Sequence, residues 1–439
     1  MRNKTVAIAL LISPLILASL GVDHTTGVAY AAEKSAAKSK QKTRKVPAMR
    51  EKTYKTLSEA QVLIEEEMPA EAIPLLNKLK ARRGLNRYEV AQIWNTLAYA
   101  YYSTEDIPNT INAYKQVLAQ EEITEALEMS SLRSLFQLYY AEEEYKISIS
   151  YIDQWMKLKL LPDPSIMFLK ATCYYQLEDF ANSLTYALET EQLAIAQAKE
   201  VKERWLYLQV VIYNEMLEYR EVINVLEKLI VAYPKKQYWM HLAGMYAELE
   251  QESKALSAFY AAHVQGMLTR ETEVVMLSQR LLNAEVPFEA AHVMEKGFQD
   301  GMVEKTEKNL RLLGQAWTMA QEMEKAIETW GEASEYAEDG EIYYRLAQAL
   351  ASEDKHADAV KAYENALDKG DLKKPYDVSF WMGISLMQLS RWDNAVDAFK
   401  DAANDKKKAK QCRQYIRYVR GEKRRQAELR KMEMELSHL

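Results

Sequence analysis

The residue types that could do chemistry are present but are not arranged for it. The six histidines (His24, His241, His263, His292, His356 and His438) fall in separate stretches. No two of them stand four apart on one helix, the spacing that would let a pair hold zinc. Cys173 and Cys412 are the only thiols, too few for a disulfide framework and without a C-x-x-C metal or redox pair. Cys173 reads as a small apolar residue buried on a helix, and His356 as a surface residue at a turn. The acidic runs Glu65–Glu67 and Glu142–Glu144 close helical segments and read as solvated ends, not as an acid–base pair. No glycine-rich phosphate loop occurs. The sequence therefore predicts no enzyme, no cofactor and no metal site. A hidden catalytic cluster is the competing reading, which a turnover assay mapping to one group of acids or histidines would revive.

What is periodic in the chain is structural. Residues 340–371 read as two short helices broken around Glu353–Lys355. Tyr343, Leu346, Ala347 and Leu350 share one helical face, and Ala359, Val360, Tyr363 and Ala366 share another. Neither helix is long enough to bury its apolar face alone. The second-helix signature is a small residue, an aliphatic, and an aromatic four after the small one. It recurs as Ala255…Phe259, Ala326…Trp330, Ala359…Tyr363 and Ala395…Phe399, with a looser copy at Ala290…Met294. Weaker copies lie near Glu221, Ser183, Ser148, Thr110 and Ala72. First helices repeat as Trp94-x-x-Leu97-Ala98-x-x-Tyr101 and Trp239-x-x-Leu242-Ala243-x-x-Tyr246. A period near 35 residues is that of a repeat array, in which each unit packs only on its neighbours. Scarce glycine (13) and proline (10) favour an all-helical chain.

This order of aromatic, Leu-small and Tyr resembles the tetratricopeptide repeat family. The resemblance spans residues 57–404, or about ten repeats. It implies an all-α, right-handed α-solenoid of about ten helix pairs, with residues 405–439 forming a capping and charged helix. In that family the first helices line the concave face and ligands lie along it. Carried over by position, the candidate protein-binding groove is Asn95, Tyr99, Tyr102, Arg133, Gln137, Tyr140, Phe168, Thr172, Tyr175, Tyr213 and Asn214. Tyr99, Tyr102, Tyr140 and Tyr175 are expected to form an exposed row suited to an extended peptide or a partner's helix. The competing reading packs these tyrosines between units. In the C-terminal half only Lys308 and Arg311 match the family's carboxylate-clamp pattern.

The ends of the chain differ in character from this array. Residues 1–32 read as a secretory signal peptide: Arg2 and Lys4, an apolar run over Val6–Leu20 broken by Pro14, and a cleavage site near Ala31 or Ala32. An uncleaved anchor is the alternative. Residues 33–56 read as a disordered linker, nine Lys or Arg against two acids. It is either a solvated spacer or an arm in weak contact with an anionic membrane surface. Residues 405–439 carry twelve Lys or Arg against five acids, which leaves residues 57–404 at a net charge of −22 out of −7 for the whole chain. An acidic body argues against a nucleic-acid partner. The expectation is a periplasmic, non-catalytic scaffold for a protein or peptide partner in the cell envelope. The layout is also similar to exported repeat proteins that accompany TonB-type energy-transduction systems. The alternative function is a cell-envelope assembly factor for outer-membrane or polysaccharide machinery.

Overall fold

The computed structural model describes residues 47–159 and 162–437, with side chains as far as residue 434. The signal-peptide reading and the first fourteen residues of the linker, 33–46, lie outside the described residues. Among the described residues every regular element is an α-helix.

Ten helix pairs follow one another. They are α1 (Glu51–Glu65) with α2 (Pro69–Lys80), α3 (Arg87–Ser103) with α4 (Ile107–Leu118), and α5 (Glu125–Ala141) with α6 (Tyr145–Leu158). Next come α7 (Pro164–Gln176) with α8 (Phe180–Ala196), α9 (Glu203–Glu215) with α10 (Tyr219–Ala232), and α11 (Lys236–Glu248) with α12 (Glu252–Val264). The last four are α13 (Glu271–Asn283) with α14 (Pro287–Gln299), α15 (Glu307–Met319) with α16 (Met323–Ser334), α17 (Glu341–Ser352) with α18 (His356–Lys369), and α19 (Pro375–Gln388) with α20 (Trp392–Ala402). A long helix, α21 (Ala409–Ser437), closes the array against α20. The chain is an α-solenoid.

The signature positions explain why each pair closes. Ala72, Thr110, Ser148, Ser183, Ala255, Ala290, Ala326, Ala359 and Ala395 are fully buried. A larger side chain there would hold the two helices apart. Where the small residue is serine, its hydroxyl finds a partner on the first helix: Ser148 Oγ donates to the Phe136 carbonyl at 2.7 Å and Ser183 Oγ to the Ala171 carbonyl at 2.8 Å. The fifth pair departs from the sequence reading. Glu221 is exposed, and the buried position is Val222 beside it. A second set of buried positions lies sixteen residues apart across each pair. Gly314 faces Trp330 and Gly383 faces Phe399 so closely that a Cβ on either glycine would stand 2.7 and 2.8 Å from the ring.

Each turn inside a pair has one form. The residue after the first-helix cap is left-handed (Glu67, Glu105, Glu143, Glu178, Leu217, Glu250, Glu285, Gln321, Asp354 and Ser390), with φ between 55° and 62°. The next N–H reaches back to a carbonyl five residues earlier, as from Asp106 to Tyr101 at 2.9 Å and from Gln251 to Tyr246 at 2.8 Å. This is the Schellman ending, usually built on glycine, here carried at all ten positions by non-glycine residues, seven of them acids.

Successive pairs are stapled at the starts of first helices. Arg50 Nε donates to Glu89 at 2.9 Å, Lys236 Nζ to Glu273 at 2.9 Å, and Asn309 Nδ2 to Glu271 at 2.6 Å. The Arg50 staple accounts for a boundary: α1 begins at Glu51, six residues before residue 57, where the sequence reading starts the array. At the other end Cys412, Tyr415, Ile416 and Val419 pack α21 onto Phe380, Val396 and Phe399, as a cap requires. Both cysteines are buried and free. His356 sits at the turn as expected, but its side chain is only 14% exposed.

Beyond sequential neighbours, the helices in contact include α1 with α3, α7 with α9, α13 with α15 and α17 with α19. All are first helices. Stacked layers approach most closely on the inside of a curve, so the first helices line the inner face.

Candidate partner-binding face

The candidate inner face is made of first-helix positions, most of them half-buried or exposed. On α3, Asn95, Tyr99 and Tyr102 are half-buried. On α5, Arg133 is exposed, while Gln137 and Tyr140 are half-buried. On α7, Tyr175 is half-buried, but Phe168 and Thr172 are buried. On α9, Asn214 is exposed.

The tyrosine row is therefore not freely exposed. Each ring leans on a neighbour. Tyr99 meets Tyr114 of α4 edge-on at 6.4 Å, Tyr140 meets Tyr145 of α6 at 5.5 Å, and Tyr175 meets Phe180 of α8 at 5.9 Å. Burial raises the hydroxyl pKa of all three, with Tyr114 opposing the rise at Tyr99 and Thr172 opposing it at Tyr140. They stay protonated and can donate. Each ring is partly covered by the fold and partly accessible.

Three expected site residues are corrected, and Thr172 is one: it is buried, and its Oγ1 donates to the Leu169 carbonyl at 2.8 Å. Phe168 is core: it packs against Trp205 at 6.4 Å and lies under the Arg204 guanidinium. Tyr213 stands one position off the face, at the place that Tyr101, Tyr139 and Tyr174 hold in earlier pairs. Its misplacement follows from the one-residue slip at Val222. In the true register the face positions of α9 are Tyr207, Val211 and Asn214; Tyr207 holds the place of Phe168 and, like it, packs on the next pair, meeting Tyr238 of α11 at 6.1 Å. Val222-Ile223…Leu226 is the aliphatic version of the signature, and it was the available clue.

In the C-terminal half the carboxylate-clamp pattern dissolves. Arg311 is engaged by Glu307 at 2.5 Å and by Asp339 at 3.4 Å. Burial would lower its pKa, yet those two acids raise it. Lys308 alone is exposed. Sequence reading missed Trp381, which stands 44% exposed on α19 with its ring edge-on to Phe380 at 5.6 Å. Gly244 is exposed on α11, and a Cβ there would meet nothing within 4 Å. Among the described residues no group of three His, Cys, Asp or Glu could hold a metal, and no helix is long and apolar enough to cross a membrane.

Residues 344–409, the second helices and first helices from α17 to the start of α21, match the family model described as tetratricopeptide repeat. Over this segment the chain is similar to that repeat. The repeat's landmarks there are Ala347, Ala359 and Tyr363, then Ala395 and Phe399, all buried. No curated protein matches the chain. Among solved structures, a tetratricopeptide repeat protein from Parabacteroides merdae aligns at 12% identity over 61% of this chain and 99% of its own, with a TM-score of 0.36. MamA aligns at 20% identity over 38% of this chain and 97% of its own, with a TM-score of 0.33. YrrB, described as a TPR protein with an unusual peptide-binding site, aligns at 16% identity over 41% and 91%, also with a TM-score of 0.33.

Proposed function

We propose that this chain is a non-catalytic scaffold that holds a protein or peptide partner along its first helices. The observation that carries the proposal is the row from α3 to α9. Half-buried tyrosines there alternate with the free polar ends of Asn95, Arg133, Gln137 and Asn214. Rigid aromatic area beside amide and guanidinium donors is the composition of an interface centre. Anchored rings also lose little freedom when a partner covers them.

The export reading rests on residues 2–32 and would place the scaffold in the periplasm. In its narrowest form the proposal makes it an accessory of a TonB-type transport system. That form is supported only by the order of charged start, basic linker, repeats and charged terminal helix. Co-purification with the energy transducer from envelope extract would favour it. Co-purification with outer-membrane or polysaccharide assembly components instead would move the protein to that machinery.

The face is tested by changing residues that the fold does not need. Arg133→Ala with Asn214→Ala should leave the melting temperature unchanged and abolish partner capture from envelope extract. Tyr102→Ala with Tyr140→Ala should lower both, because those rings also pack. Full capture by the Arg133/Asn214 variant would remove this face from the reading.

A further inference from the structure

The outer side of the capping helix carries a one-signed row that the fold does not use. Lys410, Arg413, Arg417, Arg420 and Arg424 are exposed, and none enters an ion pair among the described residues. Their neighbours on α21 behave differently: Lys423 reaches Asp393 on α20, and Arg425 pairs with Glu422 at 2.7 Å. Asp397, the other acid in the groove between α20 and α21, is taken by Lys400 at 2.8 Å. The row's spacings are three and four residues. At 3.6 residues per turn they confine all five cations to an arc of about 80° and a line of about 21 Å. Arg420 and Arg424 border the groove between α20 and α21, and Lys410, Arg413 and Arg417 lie on the side of the helix away from Cys412, Tyr415 and Val419, which pack inward.

A cap needs a polar outer face, but it does not need one sign. Like charges three and four apart weaken a helix, and an interspersed acid at any of these positions would relieve them. The row is an uncompensated cost in the free protein. Its geometry fits a plane: five exposed cations within one arc of a single helix can meet a flat surface together. A nucleic-acid groove would call for cations over a wider arc. At physiological ionic strength charge is screened within about 8–10 Å, so a surface meeting the outside of α21 feels the row before the body behind it.

We infer that α21 docks the end of the solenoid on an anionic phospholipid bilayer through Lys410, Arg413, Arg417, Arg420 and Arg424. Each basic residue near such a surface contributes roughly fivefold to partitioning.

The test is sedimentation of the full chain with phosphatidylglycerol-containing vesicles and with pure phosphatidylcholine vesicles. Any contribution of the apolar run at residues 6–20 is common to both lipids, and the basic linker is common to all variants. Arg413→Gln/Arg417→Gln/Arg420→Gln should lower partitioning onto the anionic vesicles by roughly a hundredfold, as three such contributions multiply. It should leave the melting temperature unchanged. Arg413→Lys/Arg417→Lys/Arg420→Lys keeps the charge and should keep the binding. Equal partitioning of parent and Gln variant on anionic vesicles would overturn the inference. So would equal partitioning of the parent on both lipids, or failure of the Lys variant with its fold intact. Loss of nucleic-acid or acidic-protein binding in the Gln variant, with vesicle binding intact, would also overturn it.

Discussion

The same substitution, glycine to alanine in a helix, should have opposite signs at two places in this solenoid. Gly314 lies on α15 where a Cβ would stand 2.7, 2.8 and 3.0 Å from three ring atoms of Trp330. Those are ring atoms of a buried indole whose Nε1 donates to Thr318 Oγ1 at 3.0 Å. The ring cannot move away without lengthening that bond. Overpacking of this kind costs about 1–3 kcal/mol. Weakening the indole hydrogen bond adds about 0.5–1.5 kcal/mol. The gain in helix propensity returns about 1 kcal/mol. Gly314→Ala should therefore destabilise by about 1–3 kcal/mol. Gly244→Ala meets no atom within 4 Å on the exposed side of α11, so only the propensity term remains and it should stabilise by about 1 kcal/mol. The assay is urea unfolding, followed by circular dichroism for the whole array and by amide exchange for α15 and α16, since repeats unfold in parts. A neutral or stabilising Gly314→Ala would refute the argument that the first-helix small residue is fixed by the aromatic sixteen positions later.

Other outcomes follow from the turns and the staples. Glu105→Gly and Glu250→Gly relieve a left-handed φ of 59° and 56°. Each should stabilise by roughly 0.5–1 kcal/mol, the 1–2 kcal/mol relief being offset by glycine's freedom in the unfolded chain; a lowered urea midpoint would count against the Schellman assignment. Glu89 and Glu273 are buried, which alone would raise their pKa. Hydrogen bonds from the side chains of Arg50 and of Lys236 and Arg270, with backbone N–H groups, instead hold both at about 2. A carboxyl depressed in the folded state stabilises above its unfolded pKa and loses that contribution as pH falls. About 2–3 kcal/mol from each should therefore disappear between roughly pH 4.5 and pH 2. Glu273→Gln should flatten that acid limb; a limb of unchanged steepness would show that the staple between α11 and α13 is not its cause.

Most of the fold was legible because the repeat forces one local problem to be solved ten times. Ala359 and Tyr363 show that solution in its plainest form, and nine of the ten landmark positions are buried where the sequence placed them. The slip at Glu221 arose because no small residue marks this pair; Val222 takes that place with a larger side chain. Its partner Val210 is correspondingly aliphatic, and Leu226 replaces the aromatic. The first-helix face was legible as a set of positions and less so as a set of exposures. Phe168 looked like its counterparts Asn95 and Arg133 in spacing, yet Trp205 and Arg204 of the next pair cover it. Spacing within one helix carries no information about a side chain arriving from the neighbouring unit. The start of α1 was hidden for the same reason. Its six additional residues are highly charged, and what orders them is Glu89, 39 positions from Arg50.

The partner-binding face is tested most directly by photo-crosslinking in envelope extract. A photoreactive residue would replace, one at a time, Asn95, Gln137, Asn214 and Gly244 on first helices, and Asn112, Gln154 and Asn182 on second helices. Crosslinks to one protein species from the first-helix positions, with none from the second-helix positions, is the predicted result. Crosslinks to that species from the second helices, with the first helices silent, would contradict it.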